Sequence, residues 1–111
     1  MNNKHTPGPW KFENKGYRIE VRTDELHTFA FGVSDEGNAR LIAAAPELLE
    51  ACQTFAEWLR REESGFVKAG NERYTPEGEA AWSEWYSENL RICDLAQKQA
   101  YSAIAKATGK N

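Results

Sequence analysis

Three short alternations occupy the first third of the chain. Trp10-Lys11-Phe12-Glu13, Tyr17-Arg18-Ile19-Glu20-Val21-Arg22 and Phe29-Ala30-Phe31-Gly32-Val33 set apolar side chains two positions apart, the period of a strand with one buried face. Asn14-Lys15-Gly16 separates the first two, and glycine supplies the positive φ that such a hairpin loop requires. The pattern predicts a three-stranded antiparallel meander over residues 10–37. Trp10, Phe12, Tyr17, Ile19, Val21, Phe29, Phe31 and Val33 would line one face, with Arg18, Glu20 and Arg22 turned to water. Three strands are not stable alone, so that face needs a helical cover.

The cover is legible from residue 38. Apolar residues recur at 41, 45, 48, 52, 55 and 59, alternating steps of four and three, which is a helical stripe. Asn38 is a suitable N-cap, and Ala43-Ala44-Ala45 leaves room for close approach to the sheet. Pro46 lacks an N–H and disfavours α geometry at Ala45. The stripe keeps its phase across Pro46, which predicts one helix over residues 38–63, kinked there. Residues 64–75 read as a loop. Thr75-Pro76-Glu77 then opens a second helix over residues 76–108, with threonine at the N-cap, proline at N1, acids in the first turn and Gly109 at C′. Unbroken, that helix runs roughly 48 Å, against about 35 Å across a compact domain of this length. Either it breaks near Ser87-Glu88-Asn89, or it projects and pairs as a homodimer through its Trp/Ala face. The expectation is therefore one α+β domain: residues 1–9 an arm, then the meander, then a helical hairpin packed against it.

Composition narrows the function classes. The chain has 111 residues, 14 Lys+Arg against 17 Asp+Glu, and a formal charge of −3. That balance gives no electrostatic footprint for general duplex nucleic-acid binding. The residues before Trp10 lack the apolar stretch of a secretory signal, and the longest apolar run is far below the roughly 20 residues that span a bilayer. Cys52 and Cys93 suggest neither a disulfide framework nor a metal knuckle, so a reducing cytoplasm is the expected compartment and no membrane is expected. Both thiols fall on apolar stripes, where cysteine acts as a small hydrophobe. His5 and His27 have no paired nucleophile in the sequence, and no HExxH, CxxC, GxGxxG or P-loop spacing occurs, so neither an enzyme nor a bound cofactor or metal is expected.

Two clusters carry recognition chemistry. Trp82, Trp85 and Tyr86 fall within five helical residues, and successive residues turn by about 100°, so one narrow core stripe cannot hold all three rings. They are the candidate partner-binding surface, since Trp and Tyr dominate binding hot spots. Arg60, Arg61, Lys68 and Arg73, with Tyr74, Trp58 and Phe66 among them, are the alternative: cations beside stacking rings suit an anionic nucleotide. Glu57, Glu62, Glu63 and Glu72 dilute that patch.

Two further segments carry a resemblance. His5-Thr6-Pro7-Gly8-Pro9-Trp10 and Asn38-Ala39-Arg40-Leu41-Ile42-Ala43-Ala44-Ala45-Pro46-Glu47-Leu48-Leu49-Glu50-Ala51 together resemble a widespread group of small phage and prophage proteins, and Ala103-Ile104-Ala105-Lys106-Ala107 looks like that group's usual tail. The resemblance implies expression inside a bacterium from a mobile element and no particular reaction. Arg40 lacks an obvious packing role there and is expected to meet a carboxylate from the N-terminal arm, the alternative being an anionic ligand. With the aromatic helix, this predicts a non-enzymatic accessory protein that binds a host or phage macromolecule, such as an inhibitor of bacterial anti-phage defence. The alternative is a sponge for an anionic nucleotide signal.

Overall fold

The computed structural model describes residues 5–23, 28–30, 33, 35–66 and 75–110, of which the side chains of Phe29 and Ala30 are not described. The fold is α+β and mostly helical. Strand β1 (Lys11–Asn14) pairs antiparallel with β2 (Ile19–Arg22), Phe12 opposite Val21 and Asn14 opposite Ile19. Gly16 takes φ 86° in the connecting turn, where its N–H donates to Asn14 Oδ1 at 2.9 Å and Lys15 N–H donates to the Arg18 carbonyl. A three-residue strand, β3 (Thr28–Ala30), pairs with β2 with a register shift at Val21/Arg22. The meander expected over residues 10–37 is not traced as a whole: its second turn, with His27, and Phe31, Gly32 and Ser34 lie outside the described residues.

Helix α1 spans Glu36–Ala43 and α2 spans Ala45–Ser64. The N-cap is Asp35, whose carboxylate accepts from Asn38 N–H at 2.8 Å; this replaces the expected cap Asn38, because Asp35 stands three residues before a free N–H and is itself extended. The interruption falls at Ala44 and not at Pro46. Proline is tolerated in the first turn of α2, where its missing N–H has no intrahelical partner to lose, so the break moves two residues upstream. Ala44 N–H still donates to the Arg40 carbonyl, and Leu48 N–H to that of Ala44.

The core at this end is small. Trp10, Val21, Ala39 and Ala43 are buried together, with Phe12, Ile19, Val33 and Ile42 packed around them. The two segments that carry the family resemblance are therefore two sides of one contact. Alanines at 39 and 43, one helical turn apart, leave the space that the Trp10 indole fills. Trp10 Nε1 donates to the Pro7 carbonyl at 3.2 Å, and a Cβ on Gly8 would lie 2.7 Å from Pro46 Cβ, so the arm passes Pro46 too closely for any side chain there.

Two expectations for the sheet are corrected. Tyr17 does not line the core; it is 77% exposed, with the Arg18 guanidinium 5.4 Å from its ring centre. Glu20 does not face water; it is 1% exposed, covered by Arg18, by Arg22 at 3.6 Å and by Lys15 at 3.9 Å. Three cationic side chains folding over one carboxylate replace the solvent that the alternation assigned to that face.

Helix α3 runs unbroken over Pro76–Thr108, so the predicted break at Ser87-Glu88-Asn89 does not occur. Thr75 Oγ1 accepts from Gly78 N–H at 3.0 Å, and Gly109 closes the helix in the left-handed conformation. The long helix makes the molecule elongated, with extents of 68 × 28 × 20 Å and a radius of gyration of 19.8 Å, well above the roughly 13 Å of a compact chain of this length.

Candidate functional site

The C-terminal part of α3 anchors the sheet end. Arg40 lies over the Phe12 ring at 5.2 Å and meets Glu36 at 3.6 Å. Its carboxylate partner thus comes from its own helix one turn back, where (i, i+4) residues share a face, and not from the N-terminal arm, whose residues 1–9 include no Asp or Glu. A Cβ on Gly109 would fall 2.7 Å from Arg40 Nε, which places the end of α3 directly against α1.

Beyond that contact α2 and α3 form an antiparallel hairpin whose register is set by polar pairs. Lys106 Nζ donates to Glu47 Oε1 at 2.7 Å, and Gln99 Nε2 to Glu50 Oε1 at 3.1 Å. Further along, Asn89, 2% exposed, accepts from Arg61 Nε and donates to Glu62 Oε1 at 3.0 Å. A buried amide held from both sides tolerates one register only. Between these pairs the seam is made of small residues and one isoleucine: Ala51, Ile92, Ala96 and Ala103 are buried.

The aromatic candidates sit at the hairpin's far end. Trp82 and Tyr86 stack with ring centres 5.0 Å apart and planes 8° from parallel, while Trp85 meets Phe66 edge-on at 6.1 Å. Trp82 and Trp85 are half-buried and Tyr86 is exposed. Trp85 thus serves the closure of the hairpin, and Trp82 with Tyr86 forms an aromatic plate whose exposed ring is Tyr86. Of the cationic candidates, Arg60 is held bidentately by Glu57 (2.6 and 2.9 Å) and Arg61 by Asn89. The hydrogen bond and charge of Arg60 hold the Glu57 carboxyl below the usual carboxylate range. Lys68, Arg73 and Tyr74 lie outside the described residues.

Sequence reasoning did not single out a groove on the hairpin as a site. A groove of about 660 Å³ runs along one face of the hairpin, lined by Leu48, Cys52, Phe55 and Trp58 of α2 and by Cys93, Gln97, Tyr101 and Ile104 of α3, among others. None of its lining residues is Asp, Glu, Lys or Arg. Phe55 and Trp58 stack at 5.7 Å within it, and both cysteines are free thiols on this face. The signal was available: on α3, positions 90, 93, 97, 100 and 104 carry Leu, Cys, Gln, Ala and Ile, a three–four spacing beside the stripe that packs on α2.

Among the described residues no group of three His, Cys, Asp or Glu is placed to hold a metal ion, and no helix is long and apolar enough to cross a membrane. No curated protein and no solved structure matches the chain. A family model described as Salmonella phage P22 protein Y8K6 matches residues 1–111, and the chain belongs to that family.

Proposed function

We propose that this phage protein is an accessory factor that acts by binding a host or phage macromolecule and not by catalysis, with the Trp82–Tyr86 plate as its contact surface. The observation that carries this reading is the stacked pair, with Tyr86 exposed, at the hairpin end remote from the sheet core. Stacked rings offer a large contact area that is already ordered before the partner arrives, so little entropy is lost on binding. A protein of the host's anti-phage defence is the proposed target class, which rests on the phage family alone.

Affinity capture from phage-infected bacterial cells, with the chain and its Tyr86→Ala variant side by side, tests the surface. A protein retained by the chain and lost with Tyr86→Ala, at unchanged circular dichroism, supports the reading; equal capture by both removes the plate from it. Plaque counts on defence-bearing hosts, with and without the chain expressed, test the target class.

A further inference from the structure

We propose that the uncharged face of the α2–α3 hairpin takes a second copy of this chain, the two hairpins closing as a four-helix bundle about a two-fold axis. In a chain that is 28% charged, the lining of this groove holds no charged residue. The polar pairs that join the two helices, Glu47–Lys106 and Glu50–Gln99, come from positions outside that lining.

Three observations select a second copy as occupant. The hairpin is a single layer of two helices, and a stable helical domain covers its apolar stripe with another layer. Both helices carry bundle spacing on this face: 48, 52, 55 and 59 on α2, and 90, 93, 97, 100 and 104 on α3. Steps of three and four are the seam of helices crossing at a small angle, and two such seams side by side are what an identical hairpin needs in order to meet itself. The area also suffices. Phe55 is 50% exposed, Leu59 38%, Leu90 54%, Tyr101 74% and Ile104 50%, together on the order of 500 Å² at about 200 Å² per large side chain. Leu48, Cys52, Trp58 and Gln97 on the same face raise this toward the roughly 800 Å² that each partner gives in a standard interface.

The face shares Cys93, Ala96, Ala100 and Ile104 with the Trp/Ala stripe of α3 and leaves out Trp85 and Ile92, which are spent inside the hairpin. It also leaves the Trp82–Tyr86 plate near the bundle's ends, so self-association and partner capture are separable.

Sedimentation equilibrium of the full chain between about 1 and 100 µM, the range in which interfaces of this size assemble, decides the proposal. A mass twice the 12.6 kDa of the chain is expected, falling to the single-chain mass in Tyr101→Glu and Phe55→Glu with circular dichroism unchanged. Leu95→Glu, a 38% exposed position outside the groove lining, should keep the doubled mass. A single-chain mass at the highest concentration overturns the proposal and leaves the face to a different partner. A doubled mass that survives Tyr101→Glu, or is lost only in Leu95→Glu, overturns it too, by placing the interface elsewhere. Should Phe55→Glu unfold, Tyr101→Glu decides alone, because its side chain stands mostly in water already.

Discussion

Trp10 and Tyr101 are both large aromatic side chains on regular elements or at their edge, yet one is 6% exposed and the other 74%. The difference lies in what stands opposite. Trp10 meets a second layer, the α1 face on which Ala39 and Ala43 make room for it. Tyr101 stands on a two-helix layer that none of the described residues covers on that side. The sheet end of the molecule closes its own core, whereas the hairpin closes only the thin alanine seam between its helices. Apolar surface on one side of a single layer is therefore the expected consequence of this topology, independent of what any one residue does.

The largest test of this contrast is Trp10→Ala. Removing a buried indole between strand and helix should cost about 3–5 kcal/mol, read as a shift in chemical denaturation; a loss below about 1 kcal/mol would mean the sheet end holds no real core. Glu20→Ala should come next. It strips the carboxylate from Lys15, Arg18 and Arg22, but these cations are 21–40% exposed and regain water. The expected loss is about 1–3 kcal/mol, below that of a fully buried pair. On the hairpin, Asn89→Ala should cost about 1–2 kcal/mol by releasing Arg61 and Glu62 from a buried partner.

Glu57→Gln should move the melting temperature by no measurable amount, since the pair with Arg60 lies in water. Arg60 lowers the folded pKa of Glu57, so whatever the pair contributes is present at neutral pH. That contribution is lost as pH falls through the depressed value, and never on the alkaline side.

How far the sequence disclosed this structure depends on whether the cause was local. The start and end of α3 were legible, because Thr75, Pro76 and Gly109 act on their own backbone. The β1–β2 turn was legible for the same reason: Asn14 and Gly16 satisfy it from within. Glu20 was misread, since a period-two pattern says which side of the sheet a residue takes but not that three cations will fold over that side. The break at Ala44 was misplaced, because proline's missing N–H is harmless in a first turn. The unbroken α3 was weighed against a compact radius that this elongated chain does not have. At the candidate site, the crowding of Trp82, Trp85 and Tyr86 was legible from the 100° step. Which ring would be spent on Phe66 was not, because that contact joins α3 to the segment that follows α2. The groove was hidden by the stripe at 41, 48, 52, 55 and 59, which reads as the cover of the sheet: α1 alone packs on the strands among the described residues, and Leu41, Phe55 and Leu59 are 55%, 50% and 38% exposed.

Thiol reactivity reads the coverage of that face without any substitution. Cys52 is exposed and Cys93 half-buried, both on the groove. If the hairpin's second layer is another copy of the chain, the rate at which a small disulfide reagent modifies Cys52 should fall as protein concentration rises through the assembly range. A rate that stays constant from the most dilute to the most concentrated sample would contradict the account.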